Sequence, residues 1–254
     1  MSASGAPTRN NAGTGKLAAE LVGTFAIVFT GCGASMVAER FPSSVPPGVV
    51  PVVFGLAVTV MIYAVGHISG AHFNPAVSLA FAVFRHFPKR ELIAYWGAQF
   101  AGALMAIFLL RASLPMGEHY GATSPALPLP AALFWEVSLS FILMFVITAV
   151  ATDTRAVGML AGAAIGGTVA LCAFVGGPLT GASMNPARSL APALAEGRTQ
   201  DLWIYFVGPA AGAILAAWAY NAIRCSESTS VKEGVRGPVA AAIPVNRKDT
   251  KGCC

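Results

Sequence analysis

The chain has 254 residues, a mass of 26.0 kDa and a mean hydropathy of +0.67, and only 11% of its residues are charged, against about 25% in soluble domains. The hydrophobic share of 56% excludes a disordered chain, five scattered cysteines do not suit a disulfide-stabilised secreted domain, and the net charge of +5 forms no basic stripe of the kind that binds nucleic acid. Because so few charges cannot cover a water-facing surface of this size, the composition predicts an integral membrane protein.

Stretches without Asp, Glu, Lys or Arg mark the candidate spans, since a helix needs about 20 apolar residues to cross the hydrocarbon core. The predicted spans, in chain order, are about 16–38, 50–67, 91–112, 131–150, 157–176 and 202–223. Two uncharged stretches, 41–84 and 156–187, are too long for one span. Each leaves an apolar surplus behind a Gly-rich segment, and the surpluses predict short half-helices near 75–84 and 186–195.

Both surpluses contain the tripeptide Asn-Pro-Ala. The first copy is Asn74, Pro75 and Ala76, and the second is Asn185, Pro186 and Ala187. The surrounding sequences, HISGAHFNPAVS at 67–78 and PLTGASMNPARS at 178–189, are identical at six of twelve positions. The channel domain, 16–224, therefore consists of two copies of a three-span unit, about 16–113 and about 131–224. An odd number of spans per copy places the copies in opposite orientations, as an inverted repeat.

The basic residues predict the orientation, because cytoplasmic loops are enriched in Lys and Arg. With both termini cytoplasmic, the inner side holds Arg9, Lys16, Arg85, Lys89, Arg90, Arg155 and Arg224, and the outer side holds Arg40, Arg111 and Arg198. We therefore expect cytoplasmic termini, in the plasma (inner) membrane of the cell. We expect a polar N-terminal segment at 1–15 without a cleavable signal peptide, and a disordered cytoplasmic tail at 225–254 that includes Cys253 and Cys254.

Asn-Pro is a strong signal for the start of a helix, because Asn caps helix N-termini and Pro is favoured at the first helical position. Inverted symmetry brings the two predicted starts face to face near the midplane, and each contributes roughly half a positive charge. Irregular backbone within a membrane is tolerated where it is buried in protein or lines a watery cavity. The pair therefore predicts a pore in which the amides of Asn74 and Asn185 donate to a passing oxygen while cations and protons are excluded.

These motifs, HISGAHFNPAVS and GASMNPARS, resemble those of the major intrinsic protein family, the aquaporins and aquaglyceroporins, over about residues 16–224. The segments SLAFAVFRHFPKRE, AVATDTRAVG and GPLTGASMNPARSLAP are most similar to the branch of plant nodulin-like channels and their bacterial relatives, several of which carry glycerol or metalloid acids as well as water. The resemblance implies an all-α membrane protein with six transmembrane helices and two re-entrant half-helices. It also implies a homotetramer with one pore per subunit. A membrane enzyme is a further alternative, but the sequence offers no nucleophile–base pair or metal-ligand cluster for one, so we expect no enzymatic activity and no cofactor.

Arg188 follows the second Asn-Pro-Ala, and a cation within a span is costly and usually functional. The resemblance implies that Arg188 forms the outer constriction, together with Phe54, Ala173 and Ala182. Strict water channels usually carry a His where this chain has Ala173. The exchange of a ring for a methyl predicts a wider, more apolar constriction that admits glycerol-like polyols, urea, or neutral hydroxy acids such as boric or arsenous acid.

Other markers conflict with this interpretation. Ser189 stands where glycerol channels of the family typically have Asp, and the pair Tyr205 and Phe206 resembles the water-channel pattern. We therefore favour a passive channel for water and small uncharged solutes, with a strict water-selective channel as the alternative. A proton-coupled transporter also uses inverted repeats and broken helices, and the repeat-related carboxylates Glu20 and Glu136 would be its candidate relays.

The resemblance favours a structural role for Glu20 and Glu136, in which each accepts hydrogen bonds from the loop before a half-helix. His67 and His72 are five residues apart with no further ligand nearby in the sequence. We expect them to line the inner vestibule rather than to bind a metal. The expected partners are the lipid bilayer, further copies of the chain, water and small neutral solutes, and no nucleic acid.

Overall fold

The computed structural model describes residues 9–114, 119–153, 156 and 158–224. Its helices are α1 (Arg9–Arg40), α2 (Val49–Ser69), α3 (Pro75–Val83), α4 (Leu92–Ser113), α5 (Leu129–Thr152), α6 (Ala161–Thr180), α7 (Pro186–Glu196) and α8 (Ile204–Ile223). Short 3₁₀ turns at Lys89–Glu91 and Gly158–Leu160 precede α4 and α6. Within these residues, six helices are long and apolar enough to cross a membrane, and α3 and α7 are the two short ones. The predicted fold class is confirmed.

The largest difference from the predicted helix boundaries is at the start of α1, which begins at Arg9 rather than near residue 16. Both α2 and α6 continue beyond the predicted ends, to Ser69 and Thr180, so only about five residues of irregular backbone precede each half-helix. Gly70 and Gly181 end these helices in the left-handed conformation, with φ of 87° and 81°, which glycine adopts without steric cost. The predicted tail, 225–254, lies outside the described residues.

The packing of the helices is symmetric between the repeats. In the first repeat α1 packs against α2 and α4, and in the second α5 packs in the same way against α6 and α8. The half-helix α3 packs against α8, while α7 packs against α4, so each half-helix contacts the last span of the other repeat. The helices α2 and α6 pack against each other. Exchanging the repeats leaves these contacts in place, as an inverted repeat requires.

Glycines at the helix crossings bring the spans into backbone contact. Gly102 of α4 lies against the α1 backbone, Gly212 of α8 lies against α5, and Gly55 of α2 lies against Gly166 of α6. A Cβ atom at any of these positions would collide with a carbonyl oxygen. Gly97 of α4, in contrast, has open space beside it. Close contacts of this kind are typical of membrane helix bundles, and here they enclose one central cavity.

Candidate functional site

The two half-helices begin at the Asn-Pro pairs that the sequence singles out. The Asn74 side chain accepts a hydrogen bond from the Ala76 amide at 2.9 Å, and Asn185 accepts from the Ala187 amide at 3.0 Å. Each Asn has an extended backbone and is followed by proline at the start of the helix. The local sequence therefore determines both starts, since the cap satisfies an amide that a helix otherwise leaves free.

The asparagine side chains also join the two repeats. Asn74 Nδ2 donates to the Met184 carbonyl at 2.7 Å, and Asn185 Nδ2 donates to the Phe73 carbonyl at 2.9 Å. These reciprocal bonds hold the positive ends of the half-helices face to face. An asparagine amide has two N–H groups, so each side chain keeps one donor beyond the bond that fixes it.

The backbone before each half-helix has an unusual, matched conformation. Besides the two capping glycines, Ala71 and Phe73 in the first repeat have φ of 52° and 51°, and Ala182 and Met184 in the second have 43° and 53°. Residues other than glycine are uncommon at positive φ, and backbone strain of this kind persists where the surrounding structure imposes it. The alternation prevents a regular helix and leaves backbone groups that need partners within the protein.

Glu20 of α1 supplies those partners in the first repeat. Its side chain is fully buried and accepts from the His72 and Phe73 amides at 2.9 and 2.7 Å. Ser69 Oγ and Gln99 Nε2 also donate to it, at 2.7 and 2.8 Å. The carboxylate thus ties the end of α2, the irregular segment and α4 to α1.

Glu136 of α5 has the matching position in the second repeat and is also fully buried. It accepts from the Ser183 and Met184 amides at 2.9 and 3.0 Å, and from Thr180 Oγ1 at 2.7 Å. The Tyr205 hydroxyl donates to the Thr180 carbonyl at 2.7 Å, and Tyr95 makes the equivalent bond in the first repeat.

A cavity of about 410 Å³ passes the meeting point of the half-helices. Eight residues that the sequence analysis singles out line this cavity: Phe54, His67, His72, Asn74, Ala173, Ala182, Asn185 and Arg188. Much of the remaining wall consists of aliphatic side chains from α2, α5 and α6. Phe54 lies near the start of α2 and Ala173 towards the end of α6, so these two positions and Arg188 belong to the same end of the cavity.

Arg188 is buried in the wall of the cavity, with 7% of its surface exposed. Its Nη1 donates to the Gly121 carbonyl at 2.8 Å and lies 3.9 Å from the Cys32 sulfur. The guanidinium carbon is 5.0 Å from the centre of the Phe54 ring, within range of a cation–π contact. Among the described lining residues, Arg188 is the one with a permanent charge.

The two histidines differ in their surroundings. His67 is exposed, and it lines the same cavity as Tyr63 and Met159. The His72 ring is packed against Phe81, Phe87 and Tyr95, and its Nδ1 lies 3.0 Å from Ser78 Oγ. Across the described ranges there is no group of three or more His, Cys, Asp or Glu side chains that could hold a metal ion.

Comparison with known proteins agrees with this geometry. Residues 8–220 match the family described as major intrinsic protein. The chain belongs to the major intrinsic protein family. This family membership makes the protein a membrane channel for water and small uncharged solutes rather than an enzyme.

Several members of the major intrinsic protein family are closely similar to this chain. Aquaporin NIP1-1 of Oryza sativa subsp. japonica is 51% identical over 212 residues, which cover 82% of this chain and 74% of the relative. Putative aquaporin NIP4-1 of Arabidopsis thaliana is 51% identical over 216 residues, covering 84% and 76%. The predicted resemblance to the nodulin-like branch is confirmed.

A solved structure within the family supports the fold. The aquaglyceroporin from Plasmodium falciparum superposes with a TM-score of 0.75 at 26% sequence identity. The match covers 83% of this chain and 96% of that one. The six spans and two half-helices are thus those of a major intrinsic protein.

Part of the site in this family member is not visible in the sequence. The acceptor for Arg188 is a backbone carbonyl, at Gly121, in the loop between α4 and α5. Any residue type carries such a carbonyl, so no side-chain pattern points to it. The one sequence signal is the glycine itself, which has φ of 68° and packs against the α1 backbone at Cys32.

Proposed function

We propose that this channel conducts glycerol-like polyols and neutral hydroxy acids such as boric or arsenous acid in addition to water. The constriction consists of Arg188, Phe54, Ala173 and Ala182. One observation carries the proposal: the cavity lined by the Arg188 guanidinium and the Phe54 ring is also lined by the small methyl groups of Ala173 and Ala182.

The chemistry of this constriction suits a small hydroxylated solute. The guanidinium offers N–H donors to a hydroxyl oxygen, while the Phe54 ring and the alanine methyls contact the carbon skeleton. The second N–H groups of Asn74 and Asn185 provide the next donors along the cavity. The solved relative is named an aquaglyceroporin, which agrees with such a solute class.

Exclusion of ions follows from the same parts. Two half-helix N-termini and one arginine place positive charge along the path, and the carboxylates of Glu20 and Glu136 are engaged by the irregular segments. A cation entering this cavity would lose water and meet positive potential. We therefore propose a passive neutral-solute path and no proton relay through these carboxylates.

The markers for a strict water channel belong to the supporting structure. Ser189 hydrogen-bonds to Thr123 Oγ1 at 2.8 Å and to Ser183 Oγ at 2.6 Å. The Tyr205 hydroxyl is bonded to the Thr180 carbonyl. Neither Ser189 nor Tyr205 is among the described residues that line the cavity. Ala173, which lines it directly, therefore has more weight for selectivity.

The test compares water, glycerol and boric acid fluxes in proteoliposomes by stopped-flow light scattering. We expect the unmodified channel to pass all three, independently of a proton gradient. Ala173→His narrows the constriction, so the glycerol flux should fall by at least about tenfold, the factor for a barrier increase of about 1.4 kcal/mol. The water flux should persist.

Ala161→His is the matched control, because it makes the same change in the same helix and cavity at the opposite end. The glycerol flux of this variant should stay close to that of the unmodified channel. A channel that passes only water before any substitution would establish the water-selective alternative. Solute flux that requires a proton gradient would instead establish a transporter.

We further propose a homotetramer in the plasma membrane with cytoplasmic termini. All six spans expose large apolar side chains on the outside of the bundle. These faces suit lipid and neighbouring subunits, and the family resemblance supports the tetramer. The excess of basic residues on one side supports the orientation.

A further inference from the structure

The Gly121 carbonyl that accepts from Arg188 belongs to a tight turn outside the spans. The Ala122 amide donates to the His119 carbonyl at 2.6 Å, and the two central residues, Tyr120 and Gly121, have φ of 45° and 68°. Positive φ at Tyr120 is unfavourable for a bulky side chain, so the turn depends on external contacts to keep this shape.

Half-helix α7 provides contacts at both of its ends. Glu196, its last residue, has a side chain that is 11% exposed, and its Oε1 lies 2.7 Å from His119 Nδ1. Arg188, in the first turn of α7, donates to the Gly121 carbonyl at 2.8 Å. Arg188 and an ion pair outside the pore therefore fasten the turn to α7 near both ends of this helix, and Thr123, directly after the turn, adds a hydrogen bond to Ser189 of the same helix at 2.8 Å.

We propose that His119 and Glu196 are positioning residues that hold the turn and thereby fix Arg188, so that they set the solute selectivity of the channel. This inference rests on the proposed role of Arg188 in the constriction. While the turn is held, the guanidinium lies against the cavity wall. When the turn loosens, Nη1 loses its carbonyl acceptor and the guanidinium moves towards water in the lumen, which narrows the path for glycerol more than for water.

The charged groups around His119 give this device a pH dependence. The hydrogen bond to Glu196 raises the pKa of His119, and the negative charges of Glu196 and Glu39 add to the effect, while partial burial and Arg198 oppose it. Arg111 also lies close, 5.9 Å from the centre of the neighbouring Tyr120 ring. Because the pKa of His119 is raised, the ion pair is complete at acidic pH and weakens as the pH rises through that pKa.

The experiment measures the ratio of glycerol to water flux in proteoliposomes at about pH 5.5 and about pH 8, the range in which histidines titrate. The unmodified channel should have the higher ratio at the acidic pH. His119→Ala should lower the ratio at acidic pH by about twofold to fivefold, as expected for the loss of a partly exposed ion pair. It should also reduce the difference between the ratios at the two pH values.

Arg198→Ala is the matched control, since Arg198 Nη1 donates to the same Glu196 oxygen at 3.2 Å without being part of the turn. This variant should still have the higher glycerol-to-water ratio at the acidic pH. Glu196→Gln removes the charge of the partner and should reproduce the effect of His119→Ala. An unchanged ratio in both His119→Ala and Glu196→Gln would overturn the inference.

The Arg188→Ala background separates this inference from the proposed function. If Arg188 forms the constriction, Arg188→Ala alone raises the glycerol flux, and adding His119→Ala changes nothing further because the group that the turn positions is gone. A His119→Ala effect that persists in this background would refute the positioning role and leave the constriction intact. An Arg188→Ala channel with unaltered selectivity would refute the constriction itself.

Discussion

At the scale of single residues, the two buried carboxylates have different environments despite their matching positions. Glu20 accepts hydrogen bonds from four donors, including Gln99 of α4. Glu136 accepts from three, and the position in α8 that corresponds to Gln99 is Pro209, which has no side-chain donor. The repeats therefore share the device that holds the half-helices, but the first copy has one additional tie to α4.

We expect Glu20→Gln to destabilise the protein substantially. One carboxylate oxygen would be replaced by an NH₂ group that faces donors, leaving at least one buried donor without an acceptor, at a cost of about 1–3 kcal/mol. Thermal unfolding in detergent should show a clearly lower midpoint. Glu91→Gln is the control, because the Lys16–Glu91 pair at 3.2 Å is partly exposed and contributes no more than about 1 kcal/mol. Equal destabilisation by the two substitutions would contradict this account of Glu20.

The residues that the sequence singles out are those whose side chains carry an unusual signal. Asn74 and Asn185 are followed by proline in matching places, and Arg188 is a cation in an apolar environment. The Gly121 carbonyl and the His119–Glu196 pair were not predicted. They depend on how a loop folds back over the bundle, and neither residue type nor spacing specifies the contact of one loop with a half-helix 67 residues away along the chain.

At the scale of helices, the gaps between charges predict the spans well because lipid tolerates few charges. The ends of α2 and α6 could not be located in this way. A Gly-rich segment such as 176–181 is compatible with either a helix or a loop, and packing decides between them. Gly176 lies against the Leu139 side chain of α5, so the helix continues to Thr180.

Two glycines of α4 make a sharp comparison for the packing of the spans. A Cβ at Gly102 would overlap the Leu21 carbonyl oxygen and lie 3.0 Å from the Phe25 amide nitrogen, so Gly102→Ala should force α1 and α4 apart. We expect a loss of about 1–3 kcal/mol, as for other overpacked sites. Gly97→Ala, with nothing within 4 Å, should instead stabilise the helix by up to about 1 kcal/mol.

Thermal unfolding of these two variants measures both effects, and the amount of folded protein extracted from membranes serves as a second readout. The essential result is that the two changes in stability have opposite signs, since both variants make the same Gly-to-Ala change in one helix. Destabilisation by Gly97→Ala as large as that by Gly102→Ala would show that the α1–α4 contact is not what makes Gly102 necessary.

At the scale of the whole molecule, the scarcity of charge has two consequences. The few charges that remain lie mostly at the ends of the spans, and the path through the bundle keeps one permanent charge among its described lining residues. A channel of this composition offers solutes hydrogen-bond donors and apolar surface. The described lining residues offer ions no compensating negative group.

The charges at the ends of the spans also predict the orientation. Six spans place both termini on the same side, and the seven basic residues of that side outnumber the three of the other side. The native cysteines provide a test without fusion partners. Cys32 and Cys172 are buried, whereas Cys225, Cys253 and Cys254 follow the last span. A membrane-impermeant maleimide should therefore not label the channel in intact cells, and it should label the channel after permeabilisation.

A single added cysteine on the opposite side completes the experiment. Thr199 is exposed between α7 and α8, so Thr199→Cys should be labelled in intact cells because that loop faces outwards in the proposed orientation. Labelling of the unmodified chain in intact cells would place the C-terminal cysteines outside and reverse the assignment. The same reversal would put the Arg188 constriction and the His119–Glu196 pair on the cytoplasmic side, where the pH is buffered. The orientation therefore decides whether external pH reaches His119.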